Sequence, residues 1–199
     1  MMRRLAVVSA GVTVPSSTRL LAERLAAAVG EQTSVSVEFV DLRDLATDIA
    51  NNVVTGFPSP RLSAAIAAVT GADGLIAATP IFTASYSGLF KSFFDVVEQD
   101  ALVGKPVLIA ATGGTARHSL ALEHALRPMF TYLRAVVVPT GVYAASEDWA
   151  SGELGERIAR ASGELVELMA GRPAVAAPAQ EQVIPFEQQL AALRPPPEG

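Results

Sequence analysis

Short uninterrupted apolar runs alternate along this chain with stretches whose apolar residues recur every three or four positions. Leu5 to Val8 is the first run and reads as a strand buried on both faces. Pro15-Ser16-Ser17-Thr18 makes a turn and a helix start. Leu20, Leu21, Leu25, Ala28 and Val29 keep helical spacing, and Gly30 is expected to end the element. Val35, Val37 and Phe39 alternate with polar residues, as a half-exposed second strand would. Asp41 to Leu45 leads away from it, and Asn51 to Pro60, with its Asn, Gly and Pro, reads as a loop. The spacing then predicts a helix over Arg61 to Val69, strand three over Gly74 to Thr79 and a helix over Tyr86 to Val97. Strand four falls at Pro106 to Ala111, a helix at Ser119 to Arg134, strand five at Ala135 to Pro139 and a last helix at Gly152 to Met169.

Strands alternating with helices in this way predict an α/β fold, a parallel sheet with helices on both faces. Right-handed crossovers leave few arrangements. A flavodoxin-like, doubly wound five-stranded sheet of order 2-1-3-4-5 is preferred over a dinucleotide-type one. The first turn, Ser9-Ala10-Gly11-Val12-Thr13-Val14-Pro15-Ser16-Ser17-Thr18-Arg19, has no GxGxxG, and a sixth strand is missing. The domain is expected to span residues 1–171. Residues 172–199 form a Pro/Ala-rich extension in which Val183 to Leu193 has the pattern of a short amphipathic helix; a docked helix and a frayed tail both remain open.

Composition narrows the chemistry. Half of the 199 residues are hydrophobic and 18% are charged, enough for a sizeable core and against disorder. A net charge of -5 argues against nucleic acid, which needs a concentrated positive surface. The absence of cysteine removes disulfides, thiolate catalysis and cysteine-held metals. No metal spacing, Ser/His/Asp set or nucleophile elbow stands out. No run approaches the ~20 apolar residues of a membrane span, so the expectation is a cytoplasmic protein without membrane or metal.

Ligands in open α/β sheets sit at the carboxyl ends of strands, and three loops there carry candidate chemistry. The first, Ser9 to Arg19, places Ser16, Ser17 and Thr18 at a helix amino terminus with Arg19 beside them, as a phosphate site would; Ser17 or Thr18 acting only as a helix cap explains the same residues. The second, Thr79-Pro80-Ile81-Phe82-Thr83-Ala84-Ser85-Tyr86-Ser87, offers an aromatic wall, a rigid Pro80 and several hydroxyls; its alternative is an ordinary turn with buried rings. The third, Thr112-Gly113-Gly114-Thr115, lets backbone press against a ligand, with Arg117 placed to meet a second anion. His118 and His124, the only histidines, are candidate proton donors or helix-face residues. A phosphate anchor, an aromatic wall and a backbone edge for a flat ring are together the parts that flavin mononucleotide (FMN) requires.

The run Ala78-Thr79-Pro80-Ile81-Phe82-Thr83-Ala84-Ser85-Tyr86-Ser87-Gly88-Leu89-Phe90-Lys91, with Ala111-Thr112-Gly113-Gly114-Thr115 and His118 to Pro128, resembles the NADPH-dependent FMN reductases, in their alkanesulfonate and methanesulfonate branch. The resemblance covers about residues 4 to 170. It implies a flavodoxin-like oxidoreductase that takes NADPH or NADH and passes hydride to FMN, feeding a luciferase-like monooxygenase, and that assembles as a homodimer or homotetramer. It further implies that Ser9, Ser16, Ser17, Thr18 and Arg19 contact the FMN phosphate. Pro80, Ile81, Phe82, Ser85 and Ser87 would line the ribityl chain and ring, and Thr112, Gly113, Gly114 and Thr115 would meet the pyrimidine side. Arg117 and His118 are the substrate-side candidates. No catalytic side chain is expected, because hydride transfer is carried by the flavin and the nicotinamide.

Two departures from the family pattern stand out. The first loop reads Ser9-Ala10-Gly11 where relatives have Gly-Ser, and it lacks their Arg, leaving Arg19. His124 stands where some relatives carry a Tyr in a helical bulge at the subunit interface. Within the same fold, a quinone or azo reductase that retains FMN and a non-enzymatic flavodoxin-type electron carrier are the rival readings.

Overall fold

A computed structural model describes residues 2–172. The extension, including Val183 to Leu193, lies outside the described residues. Strands β1 (Arg3–Ser9), β2 (Val35–Asp41), β3 (Gly74–Phe82) and β5 (Pro106–Gly113) are parallel, and β6 (Val136–Val137) and β7 (Val142–Ala145) both continue the sheet beyond β5. The order β2-β1-β3-β5-β6 is the expected 2-1-3-4-5 once the short β4 (Ser85–Tyr86), a hairpin partner of β3, is set aside. Helices α1 (Ser17–Gln32) and α6 (Gly152–Ala170) cover one face, over Leu5, Val7, Ile76 and Leu108. Helices α3 (Pro60–Gly71), α4 (Gly88–Asp95) and α5 (Arg127–Tyr132) cover the other, with α2 (Ala46–Thr55) at its margin. The central strands are buried on both sides, which explains their unbroken apolar runs.

Several boundaries differ from the sequence reading. Gly30 does not end α1; the helix runs on to Gln32, and Thr33 closes it by donating its N–H to Val29 O at 3.0 Å. Burial of Val29 outweighs the cost of one interior glycine, about 1 kcal/mol. The stretch expected to be a loop from Asn51 is the second half of α2, which buries Ile49 and Asn52; only after Gly56, at φ +77, does the chain leave the helix. Here two asparagines inside a helix mimicked turn composition. Helix α4 starts at Gly88, because Ser85 and Tyr86 pair with β3.

The segment from Ser119 to Arg134 is not one helix. A 3₁₀ turn (Ala116–His118) and a π-helical turn (Leu122–Leu126) precede α5. Arg127 donates its N–H to Leu122 O, and Pro128, having no N–H, cannot close an α-helical bond onto the His124 carbonyl. Strand five extends past Pro139. It is broken between β6 and β7, and the break is closed by side chains. Arg127 donates to Val138 O and Pro139 O, both at 2.9 Å, and Glu164 accepts from the N–H and hydroxyl of Thr140, both at 2.7 Å.

The amino-terminal ends of the strands carry a buried polar cluster. Asp73 accepts the Arg4 N–H at 2.8 Å and pairs with Arg3 at 3.3 Å. Lys105 reaches the carbonyls of Thr70, at 3.1 Å, and Ala72, at the end of α3. Burial lowers the Lys105 pKa to about 8 from 10.5, although Asp73 pulls it the other way. Below pH 8 both folded and unfolded chains hold the proton, and the burial penalty is fully present. Between about 8 and 10.5 the folded chain gives it up first, so this group's contribution to stability rises with pH. Urea unfolding of the wild type and Lys105→Met, compared at pH 7.5 and pH 10, is expected to show the wild type gaining stability relative to the variant at the higher pH.

Candidate active site

Because the strands are parallel, their carboxyl ends share one edge, and register sets which loops meet. Ser9 lies opposite Ala78, Thr79 opposite Ala111 and Pro80 opposite Thr112. Ala10 N–H donates to Ala78 O at 2.9 Å, carrying the first loop off β1 alongside β3. The hydroxyls of Thr18 and Thr112 are 2.7 Å apart and buried, joining the first and third loops. The three loops therefore lie together at one edge of the sheet.

In the first loop, Gly11 is buried, and a Cβ there would fall 1.9 Å from Ser16 Oγ. Only a bare backbone admits the serine. Ser16, not Ser17 or Thr18, is the helix cap, accepting the Arg19 N–H at 3.2 Å. Ser17 is exposed at the start of α1, whose first turn carries no acidic residue. The helix end thus presents outward N–H groups and partial positive charge, an arrangement that fits a phosphate. Ser9 is buried, its Oγ 3.5 Å from Gly11 N. Arg19 is turned to the neighbouring strand. It pairs with Glu23 at 2.8 Å and Asp41 at 3.4 Å and stacks on Phe39, 4.0 Å from the ring centre. Burial raises the Asp41 pKa and Arg19 partly offsets that rise.

The second loop is a tight hairpin. Ile81 pairs with Tyr86 and Phe82 with Ser85, around Thr83 at φ +48 and Ala84 at φ +68. Two successive left-handed residues give the turn that matches strand twist, but glycine or asparagine usually occupies such positions. Thr79 ties the hairpin down, accepting the Ser87 N–H at 3.0 Å and donating to Pro80 O at 2.9 Å. Ser87 is buried and caps α4 by accepting from Phe90 N–H at 3.2 Å. Phe82 is 48% exposed, so it is not a core residue, whereas Tyr86 is half-buried against Phe90. Pro80 and Ile81 are half-buried beside it. Below the hairpin, Phe90, Phe94 and Phe130 stack edge to face, with centroids 4.9 and 5.0 Å apart.

In the third loop Thr112 is buried, whereas Gly114 and Thr115 are exposed. A Cβ on Gly113 would fall 2.1 Å from the Tyr143 hydroxyl. Tyr143, on β7, was missed in the sequence because strand five was placed too early; the run Val142-Tyr143-Ala144-Ala145 was the signal available. Arg117 and His118 are exposed on the 3₁₀ turn, which Thr115 caps by accepting Arg117 N–H at 3.4 Å. His124 is exposed on the π-helical turn and lines, with Ser85, Tyr86 and Tyr132, a groove of about 530 Å³ that borders the second loop. Among the described residues no cluster of His, Asp and Glu can hold a metal, and no helix is long and apolar enough to cross a membrane.

The model of the NADPH-dependent FMN reductase family matches residues 3–150, most of the chain and all three loops. The chain belongs to that family. It is 36% identical over 174 residues to an FMN reductase (NADPH) of Pseudomonas aeruginosa, covering 85% of this chain and 94% of that one. It is 35% identical over 172 residues to the NADH-dependent FMN reductase SfnE of Pseudomonas putida, covering 84% and 92%. Among solved structures, an oxidoreductase from Corynebacterium diphtheriae superposes with a TM-score of 0.83 at 47% identity, covering 86% of this chain and 99% of that one. A WrbA-like flavodoxin from Agrobacterium tumefaciens, at TM-score 0.62 and 17% identity over 85% and 99%, shares the fold.

Two substitutions test the loop geometry. Ala84→Gly relieves a left-handed alanine and is expected to raise the unfolding free energy by about 0.5–1 kcal/mol in denaturant melts. Thr112→Val strands the buried Thr18 hydroxyl and is expected to lower it by about 1–3 kcal/mol, with much of that loss recovered in the double variant Thr18→Val/Thr112→Val.

Proposed function

We propose that this protein is an NAD(P)H-dependent FMN reductase whose crevice is formed by the three loops. The observation that carries the reading is the gathering of an acid-free helix amino terminus, an exposed Phe82 and an exposed Gly114 backbone at one sheet edge. When bound, FMN supplies the hydride-accepting ring. The chain's own task is to hold and orient. The start of α1 and the exposed Ser17 receive the phosphate, with the capping Ser16 and the buried Ser9 supporting the loop from within. Pro80, Ile81, Phe82 and Ser85 flank the ribityl chain and ring. The backbone of Thr112 to Thr115 faces the pyrimidine edge, where N–H donors favour the added negative charge of the reduced form.

Thr18, Thr112 and Ser87 act from behind this surface, since their hydroxyls are engaged within the protein. Arg19 is engaged by Asp41 and Glu23 and stacked on Phe39, so the phosphate site draws on the helix end and not on this cation. Arg117 and His118, exposed beside the third loop, meet the nicotinamide dinucleotide. No side chain has to move a proton for the hydride step. The relatives differ in the nicotinamide that their names give, so both are candidates here. The family resemblance and the shallow, exposed loops support release of reduced FMN to a flavin-dependent monooxygenase of the luciferase-like type. The exposed apolar side chains Val54, Phe57, Leu120 and Tyr132 support assembly into a dimer or tetramer.

Anaerobic NADPH and NADH oxidation, followed with and without added FMN, tests the proposal. Oxidation that depends on free FMN and saturates with it is expected. Quinone reduction by a protein that keeps its flavin through many turnovers points to the retained-flavin reductase instead. Tight flavin binding without nicotinamide oxidation points to an electron carrier, and no flavin binding at all overturns the reading.

A further inference from the structure

Tyr143 occupies an unusual place for a strand residue. It pairs with Ala111 in the sheet and is 5% exposed, yet its phenol reaches the outermost bend of the third loop. The hydroxyl donates to Thr115 O at 2.9 Å. It also fills the space that a side chain at residue 113 would need, since a Cβ on Gly113 would lie 2.1 Å from the same oxygen. The strand that carries Tyr143 is itself tied down two residues further on. At the close of β7, Asp148 accepts Ala145 N–H at 2.8 Å and pairs with Arg157 at 2.9 Å.

A trans peptide is planar, with its C=O and N–H pointing in opposite directions. Holding the Thr115 carbonyl inward on Tyr143 therefore directs the Ala116 N–H outward. The same contact presses the Gly113 backbone onto the phenol, while Gly114 has nothing within 4 Å of where its side chain would begin. One buried hydroxyl thus sets both the height of the glycine pair and the direction of a backbone donor at the crevice rim. Burial, and to a smaller degree Asp148, raises the Tyr143 pKa, so the phenol stays a donor across the neutral range.

We propose that Tyr143 is the positioning residue of the third loop, fixing its backbone donors for the pyrimidine edge of FMN. This rests on the flavin-reductase reading above. Tyr143 touches no reacting atom; it acts through the Gly113–Ala116 backbone.

The test is FMN titration by fluorescence, with the absorbance spectrum of the bound flavin, on full-length wild type, Tyr143→Phe, Gly113→Ala and the double variant. Phenylalanine keeps the packed ring and removes only the donor. Tyr143→Phe is expected to weaken FMN binding about tenfold and to shift the bound-flavin spectrum, with the thermal unfolding midpoint almost unchanged. Gly113→Ala pushes on the same contact from the other side. It is expected to weaken binding in the wild-type background and to have a smaller effect when Tyr143 is already Phe. Wild-type affinity and spectrum in Tyr143→Phe overturn the proposal, as do strictly additive effects in the double variant. If Tyr143→Phe does not fold, the full effect of Gly113→Ala still decides: unchanged FMN affinity overturns the proposal. A wild type that binds no FMN removes the flavin reading itself, a different result from a wild type and Tyr143→Phe that bind equally.

Discussion

A buried contact between two hydroxyls, Thr18 and Thr112, sets the spacing of the first and third loops at the carboxyl edge of the sheet. One partner stands at the start of α1 and the other near the end of β5, so the pair joins a helix on the sheet face to a strand beneath it. A hydrogen bond of this kind adds only about 1 kcal/mol net, but an unmade one in a buried position costs more. The first and third loops therefore cannot separate without stranding a polar group. Parallel strand direction brings the loops to one edge, and this pair fixes how far apart they stand.

The second loop is held by different means. Thr79 and Ser87 pin the hairpin to β3 and to α4, and the phenylalanines of α4 and α5 form a close-packed base under it. On that base the chain keeps Thr83 and Ala84 in left-handed backbone and leaves Phe82 half out of the protein. Local strain and an exposed ring persist together only where the surrounding structure is rigid, and such places tend to be where a protein meets its ligand. Strained turn and firm foundation are thus two halves of one arrangement, in which the wall of the crevice is presented without being free to collapse.

Much of this was legible in the chain beforehand. The unbroken apolar runs of β1, β3 and β5 follow from burial on both faces, and the hydroxyl- and glycine-bearing loops after those strands do meet at one edge. What escaped was decided by tertiary contacts. Asn51 and Asn52 look like turn residues, but α2 continues through them because Ile49 and Asn52 are buried. Ser16 caps α1 because Gly11 leaves room for it, a relation between residues that no local pattern reveals. Arg19 looked free for an anion, yet Asp41 and Phe39 on the adjacent strand claim it. Tyr143 went unnoticed since β7 is short and follows a break whose closing partners, Arg127 and Glu164, lie on separate helices.

That interrupted fifth strand bears on how the molecule behaves in a crowd. An open sheet border is a template onto which a foreign strand can add. Here the far border is cut between β6 and β7, and the carbonyls of Val138 and Pro139 are already spoken for by Arg127. The opposite border, β2, runs whole but carries the exposed carboxylate of Glu38 at its middle. Edge-to-edge growth into filaments is opposed at one margin by discontinuity and at the other by charge.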